Sequence, residues 1–350
     1  MSPLLSTLFL STVFSGTVVV LLSSHWFFIW VGLEINTLAF LPLMAKPSQP
    51  RSTEATTKYF LIQATASAFI LLASLIQAHT TGSWATTETM TPLAEILFIF
   101  AIMVKMAVAP CHWWLPDVLQ GVSLTTGLLM STWQKLAPIT ILLTLNPTTP
   151  TMAFLLMGSL SVFVGGCGGL NQTQTRKLLA FSSISHMGWV LVIFPFWPQL
   201  TIFYLLIYFI ITSSFMIMLQ KNSSLSLQDL TKLINSNPWL AVALLIIMLS
   251  LGGLPPLTGF LAKWLVLQQL MFSNTFIITS VLLFSTLLSL FFYLRMAYMA
   301  TLTLSPQHTL SILSWRTTTL SVKNNITLAV LLMSSTMGLI MAPTITPLIF

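Results

Sequence analysis

Apolar residues run along this chain in blocks of about 20, separated by short polar connections. A helix that crosses a bilayer needs about 20 mainly apolar residues, because each advances it by only about 1.5 Å. About eleven stretches meet that requirement: 3–23, 25–45, 57–77, 93–119, 122–145, 150–170, 178–195, 199–220, 238–270, 274–296 and 326–347. The runs are too long and too continuously apolar for membrane-barrel strands, which alternate. In hydrocarbon each backbone polar group must pair within its own segment, so such runs predict helices. The expected fold is an all-α polytopic membrane protein with about 11 transmembrane helices. The first stretch has no basic leading region and no convincing cleavage site, so it reads as a first span rather than a leader peptide.

Two stretches break the pattern. Residues 93–119 and 238–270 are both too long for one span, and both carry prolines. Pro110 and Pro116 interrupt the first. Gly252, Gly253, Pro255 and Pro256 interrupt the second. Proline removes a helix donor and clashes with the preceding turn, so each stretch is expected to divide into two half-helices. Such a break frees backbone groups at membrane depth, which is tolerated only where protein or water surrounds it, and in transporters it marks the working site. The two broken spans are five helices apart, so they cross in opposite directions. That spacing predicts inverted-topology repeats of five helices each, spans 2–6 and 7–11. The longest connections, 297–325 and 221–237, leave no room for a separate soluble unit. Residues 1–350 therefore read as a single membrane domain, with an extra first helix over about 1–24, a first repeat over 25–170 and a second over 171–350.

Composition agrees. Only 5% of the residues are charged and 56% are hydrophobic. The mean hydropathy of +0.93 excludes an ordinary soluble domain. The net charge of +7 suggests a nucleic-acid surface until the charges are placed. Apart from three lysines buried in apolar stretches, Lys105, Lys135 and Lys263, the basic residues are Lys46, Arg51, Lys58, Arg176, Lys177, Lys221, Lys232, Arg295, Arg316 and Lys323. All of these ten follow even-numbered spans. This is a positive-inside pattern, and it argues for topology signals and against nucleic acid. It places the N-terminus and the even loops on the negative side of the membrane and the C-terminus on the positive side.

Four ionisable residues remain inside apolar stretches: Glu34, Lys105, Lys135 and Lys263. Each charge at the centre of a span costs about 3 kcal/mol by insertion scales. Together they suggest a path for ions or protons near the membrane midplane. Burial disfavours an ammonium, and a nearby glutamate restores it. At about 8 Å and an effective dielectric near 20, one such interaction is worth roughly 2 kcal/mol, enough to redistribute a proton between neighbours. The plain structural reading is a set of fixed ion pairs, but one glutamate cannot neutralise three lysines.

Secondary features are less specific. Ser182, Ser185 and His186 share one helix face in FSSISHMGW. They fit either ordinary serine-to-carbonyl bonding around a core histidine or a hydrated wire between Lys135 and Lys263. His112 and Asp117 flank the break in CHWWLPDVLQ and fit an access route from the even-loop side. His25 and Glu95 fall at span ends. Trp26, Trp113 and Trp114 read as interface anchors. Gly165, Gly166, Gly168 and Gly169 read as a close helix-packing surface rather than a phosphate loop. Cys111 and Cys167 have no metal or disulfide spacing, and the methionines read as flexible filler. With no GxGxxG after a strand and no CxxC, the chain offers no place for a flavin, a nicotinamide or an iron–sulfur cluster, and no metal site.

The runs KMAVAPCHWWLPDVLQGVSLTTGLLMSTWQKLAP, LLAFSSISHMGW and LSLGGLPPLTGFLAKW, taken together, resemble the chain 2 family of NADH–ubiquinone oxidoreductase. These are the mitochondrially encoded antiporter-like subunits of respiratory complex I. The similarity covers essentially the whole chain and looks like the vertebrate form, which lacks three N-terminal helices of bacterial relatives. The resemblance implies an antiporter-like fold and proton translocation coupled to electron transfer from NADH to ubiquinone in other subunits. It implies that Glu34 and Lys105 are an interacting pair, Lys135 a connecting lysine and Lys263 a terminal lysine. It further implies that NAD, FMN, iron–sulfur clusters and ubiquinone are bound elsewhere in the complex. The implied contacts are membrane lipid and neighbouring antiporter-like and small membrane subunits. The implied location is the mitochondrial inner membrane, with the N-terminus in the matrix and the C-terminus in the intermembrane space. Two other classes stay open at this point: a subunit of a free-standing cation/proton antiporter, and a structural scaffold with inert ion pairs.

Overall fold

The structure is a computed structural model and describes residues 2–46, 48–144, 151–221, 226–231, 238–301, 329–330 and 332–336. All regular elements among the described residues are helical, and the extended pairings are the isolated bridges His25–Ala85 and Gln174–Ser226. The chain divides into two compact units, Met1–Met157 and Gly158–Phe350.

The first unit holds α1 (Pro3–Leu22), α2 (Trp26–Met44), α3 (Pro50–Thr81), α4 (Pro92–Met106), α5 (Trp114–Gly121), α6 (Leu124–Ser131), a 3-10 turn (Trp133–Lys135) and α7 (Leu136–Thr144). The helix α8 (Thr151–Gly169) leads into the second unit. That unit continues with α9 (Thr175–Ile193), α10 (Pro198–Lys221), α11 (Leu227–Thr231), α12 (Pro238–Gly252), α13 (Thr258–Phe272) and α14 (Phe276–Thr301). Among the described residues six helices are long and apolar enough to cross a membrane: α1, α2, α3, α8, α10 and the Phe276–Ala300 stretch of α14. The predicted span 326–347 falls largely outside the described residues.

Both predicted breaks are present, but proline is not what ends either first half. Helix α4 stops at Ala107, which takes the left-handed conformation (φ 57°). The Val108 amide then donates back to Met103 O at 3.0 Å and the Ala107 amide to Val104 O at 3.2 Å. Helix α12 stops in the same way at Gly253 (φ 80°): the Leu254 amide donates to Leu249 O at 3.2 Å and the Gly253 amide to Ser250 O at 3.1 Å. This pairing satisfies two carbonyls that the helix end would otherwise orphan. Pro110, Pro255 and Pro256 follow the turns and prevent resumption. Pro116 breaks nothing, because it stands in the first turn of α5, where its missing N–H has no helical partner to lose.

A third break was not expected. The stretch 122–145 reads as one span, yet α6 ends at Thr132 (φ −113°, ψ −73°) and a 3-10 turn precedes α7. Pro138 accounts for it, since it has no N–H for the carbonyl four residues back, on Gln134, and its ring crowds that carbonyl. Lys135 therefore sits in an irregular turn and not in a continuous helix.

In each unit the broken helix is held by one long neighbour. Helix α3 packs on α2 and on both α4 and α5, and α10 packs on α9 and on both α12 and α13. Two of the three tryptophans expected at the interface turn inward. Trp26 is 1% exposed and packs edge-on against Phe98 at 4.8 Å, and Trp114 is buried in the first break. Only Trp113 of the three, at 77% exposure, stays outside. The cause is local: the Trp26 amide donates to Trp84 O at 3.0 Å and the Trp114 indole has a carbonyl to reach, so both rings gain more inside.

The glycine-rich stretch is a packing surface, as expected. A Cβ at Gly165 would lie 2.8 Å from Phe181 O, and one at Gly166 would lie 3.1 Å from Ser285 O. Small residues let backbones approach where no hydrophobic force drives helices together in lipid. Gly188 of α9 is the mirror case, because a Cβ there would meet Ser161 Oγ and lie 2.6 Å from Gly158 O. Gly188→Val is therefore expected to destabilise the second unit by roughly 1–3 kcal/mol. Gly252→Ala, whose Cβ would meet nothing nearer than 3.8 Å, is expected to be neutral or slightly stabilising. Thermal denaturation of the solubilised protein distinguishes the two, and equal effects would contradict the packing described.

Candidate functional site

Glu34 lies mid-helix in α2, half-buried. One carboxylate oxygen accepts from Ser67 Oγ of α3, and the other accepts from Thr37 Oγ1 at 3.4 Å. Among the described residues the ion pairs are Lys58–Glu54 at 2.7 Å and Lys58–Asp117 at 3.5 Å, so Glu34 and Lys105 make no direct bridge.

Lys105 closes the last turn of α4 and is 6% exposed. Its position at a helix C-terminus favours a cation, because the unpaired carbonyls there carry partial negative charge. Val104 O, already bonded to the Ala107 amide, also accepts from the buried Trp114 indole Nε1 at 3.1 Å. Lys105 Nζ is left buried with no hydrogen-bond partner among the described residues. Lys135, 3% exposed, arrives from the 3-10 turn. The two lysines line one cavity of about 20 Å³, together with Asn36, Thr37, Gln63 and Gln134. A water needs about 10–15 Å³, so the cavity has room for roughly one. Gln134 Nε2 donates to Asn36 Oδ1 at 3.0 Å across this cavity wall. Two ammonium groups on one small low-dielectric cavity repel each other and each pays for lost hydration.

Lys263 belongs to the second unit and solves a different problem. It rises from α13 and donates to Gly252 O at 3.0 Å and Leu251 O at 3.4 Å. It thus caps the carbonyl end of α12, where a cation is favoured. The alkyl chain packs on Gly253, where a Cβ would lie 3.0 Å from Lys263 Cδ and 3.1 Å from Nζ.

Ser182 and Ser185 are buried and donate to Leu179 O at 2.8 Å and Ser182 O at 2.7 Å, which is ordinary serine bonding within a helix. His186 is buried too, with Nδ1 2.9 Å from the Tyr204 hydroxyl and its ring 5.1 Å from Tyr208. His112 is buried against Trp113, with Nδ1 3.2 Å from Pro110 O. Asp117 faces outward, where Arg51, Glu54, Lys58, Gln120 and Asp117 line an open polar cavity of about 280 Å³. His112 does not line it. The break thus sends its aspartate to the polar surface and its histidine into the core.

Sequence reasoning overlooked Ser67, Asn36, Gln63, Gln134 and the tyrosines around His186. The signal was the one that found the lysines: a buried amide also costs energy unless bonded, and Asn36 and Gln134 stand within two residues of Glu34 and Lys135.

Gly253→Ala is expected to cost about 1–2 kcal/mol from the left-handed backbone alone. It is also expected to push Lys263 off the α12 carbonyls. Thermal denaturation measures the first effect. Lys263→Met, which loses the donor but keeps the chain, should lower stability in the same direction. Unchanged stability in both variants would contradict the capping role.

Comparisons with known proteins identify the family. Residues 23–289 match the family described as NADH:quinone oxidoreductase/Mrp antiporter, TM, and residues 290–346 match that described as NADH dehydrogenase subunit 2 C-terminus. NADH-ubiquinone oxidoreductase chain 2 of Xenopus laevis is 49% identical over 316 residues, covering 90% of this chain and 92% of that protein. Its counterpart in Squalus acanthias is 44% identical over 350 residues, covering 100% and 99%. Among solved structures, a chain of respiratory complex I from Thermus thermophilus superposes with a TM-score of 0.83 at 28% identity, covering 97% of this chain and 79% of that one. A chain of the Mrp complex from Dietzia sp. shares the fold, with a TM-score of 0.76 at 20% identity over 85% of this chain and 60% of that one. On the strength of these matches over nearly its whole length, the chain belongs to the NADH-ubiquinone oxidoreductase chain 2 family.

Proposed function

We propose that this chain is the proton-translocating membrane subunit of NADH:ubiquinone oxidoreductase, with Lys105 and Lys135 as the proton-exchanging pair. The observation that carries the reading is the single water-sized cavity lined by both lysines. Lys105 Nζ has no hydrogen-bond partner among the described residues, which leaves its proton responsive to nearby charge. Glu34, held by Ser67 and Thr37, is the acidic partner that biases where that proton rests. Lys263 is the terminal group in the second unit, and His112, Ser182, Ser185 and His186 are secondary candidates for the proton path. The chain does no redox chemistry itself. NADH, flavin, iron–sulfur and quinone chemistry belong to other subunits, and the energy arrives from them. Moving one charge against 100 mV takes about 2.3 kcal/mol, which is close to the electrostatic interactions that neighbouring buried groups exert on one another.

The reading extends to architecture. Eleven spans form two inverted five-helix repeats after an extra first helix. The likeness of α4 to α12 supports this: each is 15 residues long, opens with proline and ends in a left-handed residue. The way α3 and α10 each hold both halves of a broken helix supports it as well. The chain lies in the mitochondrial inner membrane, with its N-terminus in the matrix and its C-terminus in the intermembrane space, among antiporter-like and small membrane subunits of the complex. The basic residues outside the spans support that orientation.

Lys105→Ala and Lys135→Ala in the assembled complex test the proposal. Each is expected to lower NADH-driven vesicle acidification by about tenfold or more, an increase of at least about 1.4 kcal/mol in the barrier, while assembly is retained. Normal acidification with either alanine would refute the proton-path reading and leave a scaffold. Lys105→Arg, which keeps a charge that does not leave, is expected to fail like the alanine variant.

A further inference from the structure

The pair Asn36–Gln134 stands where a proton between Lys105 and Lys135 would have to be guided. Asn36 is two residues past Glu34 on α2, and it is buried. Gln134 immediately precedes Lys135 in the 3-10 turn. Their 3.0 Å hydrogen bond joins the helix that carries the glutamate to the turn that carries the lysine. Both side chains line the cavity that the lysines share. The turn itself is a weak point, since Pro138 denies the Gln134 carbonyl its helical donor. A primary amide has a donor end and an acceptor end. With Gln134 Nε2 given to Asn36 Oδ1, the pair keeps Gln134 Oε1 as an acceptor and Asn36 Nδ2 as a donor. That combination orients a water without competing for its proton, because an amide does not titrate in this range.

We propose that Asn36 and Gln134 are a positioning pair that fixes Lys135 against Lys105 and orients one water between them for proton transfer. The inference rests on the proton-path reading above. In the step, an N–H bond of the Lys105 ammonium breaks as that proton joins the water oxygen. An O–H bond of the same water breaks as a proton joins the Lys135 amine. Lys105 ends neutral, Lys135 ends charged and the water is regenerated, so no other reactant is needed. The amides act on orientation alone. The energetic basis is geometric, since small misplacement of reacting groups can cost about a hundredfold in rate.

The test uses the assembled complex in sealed vesicles, with acidification expressed per NADH-oxidising site. Gln134→Leu is expected to lower the acidification rate about tenfold and to raise the solvent deuterium isotope effect, because the misaligned transfer becomes rate-limiting. The apparent KM for quinone is expected to stay unchanged. The exchanged double variant, Asn36→Gln with Gln134→Asn, keeps one amide pair of the same total length and is expected to restore the rate to within about threefold. A purely structural role would change the amount of assembled complex but neither the isotope effect nor the rate per site. If Gln134→Leu does not assemble, Gln134→Glu keeps the size, loses the amide donor and carries the same expectations. Wild-type rate and isotope effect in the assembled single variant would overturn the pair's role, as would failure of the exchanged variant to recover. The lysine variants run alongside separate the two levels. Normal acidification in Lys105→Ala or Lys135→Ala overturns the proton path itself, whereas impaired lysine variants beside a normal Gln134→Leu overturn only the positioning pair.

Discussion

A helix that stops inside hydrocarbon leaves its last carbonyls without water, and the rest of this structure follows from how those carbonyls are satisfied. Both broken helices first fold back through a left-handed residue, Ala107 or Gly253, which returns two amides to the helix end. Each helix end also receives a side-chain donor. In the first unit the donor is neutral, the Trp114 indole on Val104 O. In the second it is charged, the Lys263 ammonium on Gly252 O and Leu251 O. The same backbone problem has two solutions, and they differ in what they leave over.

What is left over in the first unit is a lysine. Lys105 is buried with no hydrogen-bond partner among the described residues and shares a small cavity with Lys135. A cation in that state responds strongly to any change in nearby charge, because little else holds it. In the second unit the lysine is committed to the helix end, and releasing its proton means weakening a cap. One unit thus holds a loosely bound charge and the other an anchored one. That difference suits a chain in which protons must be passed on at one place and retained at another.

The polar environment was shaped by the same economy. Ser182 and Ser185 bond within their own helix, His186 finds Tyr204, and Glu34 finds Ser67 and Thr37. Each of these groups meets a partner drawn from a different segment or from the turn before it. The amide pair Asn36–Gln134 ties the Glu34 helix to the Lys135 turn. It gives the cavity a fixed wall on a segment that Pro138 has loosened.

The sequence by itself determined the class and most of the charges that matter. Apolar blocks of span length with four ionisable intruders can only be accommodated by helices in a membrane, because the cost of each intruder is large and the backbone has no other way to pair. Proline and glycine clusters likewise announced two breaks, since their effect on the backbone is local. The third break, at Thr132–Lys135, was equally local and legible in Pro138, but the unbroken apolar run around it masked the signal. Only the tertiary structure decided which way Trp26 and Trp114 turn, and that His112 goes inward while Asp117 goes outward. Only it decided that Lys105 lacks a hydrogen bond while Lys263 holds two carbonyls. Those outcomes depend on which donor lies nearest a freed carbonyl across helix boundaries, and no spacing along one chain encodes that distance.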